Sequence, residues 1–130
     1  WSDEQSKKIV SEIWKKIGSK IIFMPPDEHD KLLAFISHLP HVIAFSAVKS
    51  VGKVRKGKQK KNIVGGSLKD ITRVAQSPPD MWADIFVQNS ENICRATKIF
   101  QEEISKLIKL IKSKNRNKIK KYIKSIRRYL

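Results

Sequence analysis

At 130 residues with 40% apolar content, the chain is long enough for a single hydrophobic core, and its one cysteine cannot form an internal disulfide. No run approaches the roughly 20 consecutive apolar residues of a membrane span, and Asp3, Glu4 and Glu12 ahead of the short apolar run Ile21 to Met24 are the wrong order for a signal peptide, so the chain reads as cytoplasmic. The net charge of +16 is concentrated in two blocks, residues 49–62 and 106–130, which contain no acid; the segments with the core pattern are neutral or slightly acidic, unlike a nucleic-acid groove built into the fold.

Ser2 and Gln5 have capping-box spacing, and Ile9, Val10, Ile13, Trp14 and Ile17 fall on one face of the helix that follows, which Gly18 ends. The run Ile21 to Met24 is too short to assign. Pro25-Pro26 stops any strand and supplies a proline for the first turn of a second helix, with Asp27, Glu28 and Asp30 where the macrodipole favours negative charge. Leu32, Leu33, Phe35, Ile36, Leu39, Val42, Ile43, Phe45 and Val48 then cover most of the circumference. They predict a long, largely buried central helix over about 26–49, kinked where Pro40 lacks an N–H and releases the carbonyl of Ile36. All three histidines lie on it. His29 and His38 fall roughly on opposite sides, whereas His38 and His41 are neighbours. Such a pair holds zinc only with ligands brought from elsewhere, so no metal is expected. His41, beside the kink, reads from the residues alone as a satisfied core histidine before a site group.

Residues 49–62 lack an apolar period and contain two glycines, which predicts an exposed basic loop. Gly65-Gly66 is a device for a tight turn or close approach, and Ser67 is placed to cap a short helix from Leu68 to Gln76. On that helix Asp70 and Arg73 face the same way, either as a weak surface ion pair or as an arginine held in place to bind an anion. Ser77-Pro78-Pro79 breaks the chain before a helix from Asp80, with Met81, Trp82, Ile85 and Phe86 inward and Trp82 as core. Asn89 is placed to cap a long helix over about 90–113, where Ile93, Ala96, Phe100, Ile104, Leu107 and Ile111 form a seam for another helix, in this chain or a second copy. Cys94 is expected to be a buried small hydrophobe. A basic helix, about Asn117 to Tyr129, occupies the segment 114–130. With no strand pattern, internal repeat, GxGxxG or P-loop, the chain reads as one all-α domain, 1–130.

Four motifs in order carry a resemblance: His29-Asp30-Lys31-Leu32-Leu33 through Ser37-His38-Leu39-Pro40-His41; Gly65-Gly66 with Lys69-Asp70-Ile71-Thr72-Arg73; Asp80-Met81-Trp82-Ala83-Asp84-Ile85-Phe86; and Asn89 through Asn92. As a set, over about residues 20–105, they closely resemble the C-terminal helical dimerisation domain of prephenate dehydrogenase. The resemblance implies a homodimer and a partner Rossmann domain, absent here, that binds NAD or NADP. The implied reaction is oxidative decarboxylation of prephenate to 4-hydroxyphenylpyruvate in tyrosine biosynthesis, with arogenate as the alternative substrate and the fragment alone inactive. It also implies that the catalytic histidine lies in the absent domain, that Arg73 pairs with a substrate carboxylate, that His41 faces the same pocket, and that Gly66 and Asp70 shape or orient that wall. His29 and His38 remain structural, and tyrosine is implied as an inhibitor in the same pocket. Ser67, where the family commonly has a third glycine, and the two basic blocks depart from the pattern. The alternative reading is a basic helical module that binds nucleic acid.

Overall fold

The computed structural model describes residues 3–54 and 65–129, and these contain helices and turns with no strand. Helix α1, Glu4–Lys16, is capped by Asp3, whose carboxylate accepts from the Ser6 N–H at 2.8 Å. This replaces the expected Ser2–Gln5 box, and the two bonds from Ser6 hold the Asp3 carboxyl below its ordinary pKa. Gly18 ends the helix with φ +86°, a conformation that glycine adopts without Cβ strain. Ile21 and Phe23 then border grooves that run along α1. The apolar face of α1, from Ile9 to Ile17, stays more than half exposed.

Helix α2, Pro26–Leu33, starts as expected with a proline in its first turn and Asp27 and Glu28 beside it. A π-helical turn, Ala34–His38, connects it to α3, Leu39–Val54. The Leu39 N–H bonds the carbonyl of Ala34, five residues back. One extra residue is thus accommodated just before Pro40, whose missing N–H would otherwise break the ladder, and the helix runs on continuously from Pro26 to Val54. By length and composition alone this helix could cross a membrane. It instead packs through the π-turn against the helix that begins at Ser90.

α3 extends five residues past its expected end at 49. Ser50 Oγ bonds the Ser46 carbonyl at 2.8 Å, and Lys53 stands in the last turn, where a cation meets the helix dipole favourably. The first six residues of the expected basic loop 49–62 are therefore helical; residues 55–64 lie outside the described residues. α4, Gly66–Val74, packs against α3. Its N-cap is Gly65, without a side-chain bond, so Ser67 sits inside the first turn and does not cap the helix. Gly65 is extended, with φ −77° and ψ 158°, and no tight turn requires either glycine.

α5, Pro79–Gln88, and α6, Ser90–Lys112, are separated by Asn89 alone. α7, Arg116–Ser125, capped by Asn115 and continued by a 3-10 turn to Tyr129, folds back on α6. Tyr122 and Lys106 both reach Glu103 there, and the Lys106 bond at 2.6 Å holds the Glu103 carboxyl below its ordinary pKa.

The core is small: Ala34, Ile93 and Ala96, with Leu39, Val42 and Phe86 around them. Ala34 and Ala96 are both 0% exposed, so two methyl groups set how closely the π-turn meets α6. Two expectations fail at this seam. The central helix is not largely buried, because only Ala34, His38 and Ala44 are, while Leu32, Phe35 and Ile36 face outward and Ile36 is 62% exposed. Cys94 is exposed, since the inward stripe of α6 passes through its neighbours Ile93 and Ala96.

Enlarging a side chain in so tight a contact costs about 2 kcal/mol. Ala96→Leu is therefore expected to lower the thermal midpoint by about 8 °C, at about 4 °C per kcal/mol for a domain of this size. Cys94→Ser, two residues away but exposed, should change stability by less than about 0.5 kcal/mol. Circular dichroism melts of both variants check this contrast.

Candidate functional site

The π-turn and Pro40 bring His38 and His41 to one side of the long helix, where both rings meet Trp82 of α5. His41 lies flat on the indole, with ring centroids 3.6 Å apart and planes at 23°. His38 meets the same indole edge-on, at 5.9 Å and 83°. Phe45, one turn beyond His41, and Phe86, one turn beyond Trp82, close the cluster with edge-to-face contacts at 6.1–6.2 Å and 5.6 Å.

The two histidines are fixed in different ways. A carbonyl can only accept, so the 3.0 Å contact of His41 Nδ1 with the Ser37 carbonyl places a proton on Nδ1. The other nitrogen, Nε2, makes no hydrogen bond among the described residues and is an acceptor when the ring is neutral and a donor when it is charged.

His38 is 7% exposed and faces Asn89, equally buried. The Asn89 amide nitrogen lies 2.8 Å from the Asp30 carbonyl and 3.2 Å from His38 Nδ1, while its oxygen accepts from Asn92 Nδ2 at 2.8 Å. The Asp30 carbonyl and the Asn92 donor together fix which end of the amide is nitrogen. His38 Nδ1 therefore accepts, and the proton sits on Nε2. Burial pushes the His38 pKa below its ordinary 6.5; the Asp30 carboxylate partly offsets this, and His29 and His41 add to it. Asn89 thus stands at the cap position of α6 as expected, but its side chain does not cap the helix.

Trp82 is core, as expected, and 6% exposed, yet its Nε1 is buried with no hydrogen-bond partner among the described residues. A largely apolar cleft of about 550 Å³ opens beside it, lined by Phe45, Ser77, Pro79, Trp82, Ala83 and Phe86 among others. None of the four residues expected to bind substrate, Gly66, Asp70, Arg73 and His41, is among those that line it. The grooves along α1 have no comparable cluster.

Of the four residues expected to bind substrate, His41 stands at this cluster. Gly66, Asp70 and Arg73 lie on α4, exposed, with their helix packed against α3. No ion pair joins Asp70 to Arg73 among the described residues. A Cβ added at Gly66 would meet nothing within 4 Å, so the space before it is open. His29 is exposed and touches only its neighbour Asp30, at 3.0 Å, among the recorded side-chain bonds. No group of three or more His, Cys, Asp or Glu among the described residues is arranged to hold a metal ion. Asn89 and the stacking role of Trp82 were not foreseen; the spacing of Trp82 to Phe86, one helical turn on the inward face, was the available signal.

Comparison with known proteins identifies the family. The family model for the dimerization domain of prephenate dehydrogenase matches residues 25–125. A cyclohexadienyl dehydrogenase of Zymomonas mobilis is 35% identical over 114 residues, covering 85% of this chain and 39% of its own length. A prephenate dehydrogenase of Bacillus subtilis is 29% identical over 129 residues, covering 98% of this chain and 35% of its own. Among solved structures, prephenate dehydrogenase of Aquifex aeolicus in complex with hydroxyphenyl propionate and NAD+ superposes with a TM-score of 0.82 at 32% identity, over 97% of this chain and 44% of that one. The chain spans little more than a third of the length of these curated relatives.

The depressed His38 pKa has a consequence for stability. As pH falls below about 6.5 the unfolded chain takes up this proton before the folded chain does, so stability is lost down to the lowered folded-state value. The thermal midpoint should therefore decline between pH 7 and pH 5. His38→Asn, which keeps an acceptor for Asn89 but does not titrate, should flatten that decline; an equal slope in wild type and variant would exclude His38 as its source.

Proposed function

Since the chain belongs to the prephenate dehydrogenase dimerization domain family, we propose that it forms the dimerising, substrate-binding part of an NAD(P)-dependent enzyme that oxidatively decarboxylates prephenate, or arogenate, in cytoplasmic tyrosine biosynthesis. The observation that supports the site assignment is the His41–Trp82 stack with Nδ1 tied to Ser37, which leaves Nε2 as the ring nitrogen available to a ligand.

Prephenate carries two carboxylates. The Arg73 guanidinium offers one of them a planar pair of donors, which a lysine would not reproduce. Asp70, three residues earlier on α4, makes no ion pair with Arg73 among the described residues; its proposed part is to hold the guanidinium once the carboxylate is bound, and the open space before Gly66 lets the ligand approach the backbone. His41 Nε2 and the aromatic cluster form the facing wall. Tyrosine, which carries a hydroxyphenyl ring and a carboxylate, fits the same wall as an inhibitor. NAD(P) supplies the hydride acceptor. The sequence has no glycine-rich phosphate fingerprint, so its binding is assigned to a separate Rossmann domain, and the present chain alone is inactive.

The outward row Leu32, Phe35 and Ile36, with Ile99, Ile104, Ile108 and Ile111 of α6, supports the homodimer. Exposed apolar area on this scale marks a protein–protein surface. The nucleic-acid alternative gains no support, because α7 carries its bases around a stripe, Ile119 and Tyr122, that is half-buried where α7 folds back on α6.

Two measurements test the reading. In the enzyme with both domains, Arg73→Ala should raise KM for prephenate by roughly 10- to 100-fold, the size of a lost charge-assisted bond, and leave KM for the cofactor nearly unchanged; unaltered kinetics would remove Arg73 from the site. Sedimentation equilibrium of this chain should give a dimer. A strict monomer at high concentration would refute the assembly.

A further inference from the structure

Asn89 is placed where a helix cap would stand, yet every hydrogen-bonding group of its side chain is directed at tertiary or neighbouring partners. One amide hydrogen goes to the Asp30 carbonyl, the other to His38 Nδ1, and the oxygen receives Asn92. The Asp30 and His38 bonds span 59 and 51 residues of sequence and tie the α5–α6 junction to the long helix at two points about two turns apart. A buried carboxamide with all its bonds made specifies one geometry, and breaking those bonds is costly.

The network continues outward through rings. His38 meets the edge of Trp82, and the face of Trp82 carries His41. We propose that Asn89 and His38 are positioning residues for the site described above: the Asn89 carboxamide clamps His38 as its Nε2–H tautomer, and the clamped ring sets the indole plane on which His41 is presented to the substrate. This rests on the proposed function and adds two residues to it, neither of which touches the ligand.

The clamp is specific to one protonation state. If His38 gained a proton at Nδ1, two N–H donors would oppose each other at 3.2 Å, and Asn89 would have to release either His38 or the Asp30 carbonyl. Asp30 draws His38 toward the charged form, while burial, His29 and His41 oppose it. A simple core contact would need none of this, since an apolar side chain in place of Asn89 would fill the volume without two buried donors to satisfy.

Three variants separate positioning from mere support. Asn89→Asp replaces the donor by an acceptor, Asn89→Ala removes it, and His38→Asn keeps an acceptor for Asn89 but deletes the ring against Trp82. In the two-domain enzyme each should raise KM for prephenate about tenfold, as for one lost bonding contact, with kcat within about threefold and cofactor KM unchanged. In the present chain, nitrogen-15 shifts should show His38 unprotonated at Nδ1, and Asn89→Asp should move the proton to that atom. With Trp1 and Trp14 replaced by phenylalanine, Trp82 emission should change on His38→Asn. Lowered melting temperature with unchanged KM in Asn89→Ala and His38→Asn would overturn the proposal while Arg73→Ala still raises KM. If Arg73→Ala also has no effect, the site reading itself has failed, and a wild-type His38 protonated at Nδ1 would refute the clamp independently.

Discussion

Pro40 brings no N–H to the middle of the longest helical segment, and the rest of the structure depends on how that deficit is absorbed. A regular α-helix would leave the Ile36 carbonyl without its partner and push the ring against the preceding turn. The chain inserts a π-turn from Ala34 to His38. The extra residue re-phases the helix there, so that the side chains before and after the turn do not follow one straight-helix projection. Ala34 enters the contact with α6, His38 turns to Asn89, and His41 lands on Trp82. One residue thus sets both the packing seam and the aromatic cluster.

The seam shows why the remaining apolar surface looks as it does. Ala34 and Ala96 permit close approach but bury little area, and among the described residues the core holds only five buried apolar side chains. Hydrophobic stabilisation scales with area removed from water, so a core this small leaves much of the apolar pattern unspent. The side chains left out, Leu32, Phe35 and Ile36 on the long helix and Ile104, Ile108 and Ile111 on α6, are large and branched, and they form faces rather than isolated points. That distribution suits the homodimer proposed above, in which a second copy would supply the cover that a monomeric domain supplies for itself.

Much of the fold was legible because its punctuation is local. Pro25-Pro26 with Asp27 and Glu28, Gly18, and Pro78-Pro79 start or stop helices through covalent and short-range electrostatic effects, and each acts where the sequence places it. Caps were less legible, because several nearby residues compete for the same orphan N–H groups: Asp3 caps where Ser2 was expected, and Gly65 stands where Ser67 was expected. Burial was least legible. Periodicity reports which residues are apolar and not which surface covers them, so Phe35, Ile36 and Cys94 were placed inside a core that this chain alone does not build. The four site residues came from motif likeness, and a motif names positions without their contacts. The stack beneath His41 and the bonds of Asn89 depend on elements some 40 to 60 residues apart coming together, and no local pattern encodes that meeting.

The site is also asymmetric in its energetics. On the α3–α5 side, the polar groups of His38, Asn89 and Asn92 are matched to one another, and His41 has one nitrogen tied to its own backbone. That wall is pre-organised, so a ligand need not order it on binding. On the α4 side, Asp70 and Arg73 stand exposed on a helix whose cap is a glycine without a side-chain bond. Charge on that side can move to meet a carboxylate, at the cost of ordering a long side chain. In the proposed site the aromatic wall would therefore set the shape of the ligand, and the exposed guanidinium would contribute the attraction. The long helix with its π-turn contributes to both sides, since it holds His38 and His41 against Trp82 and packs against the arginine's helix.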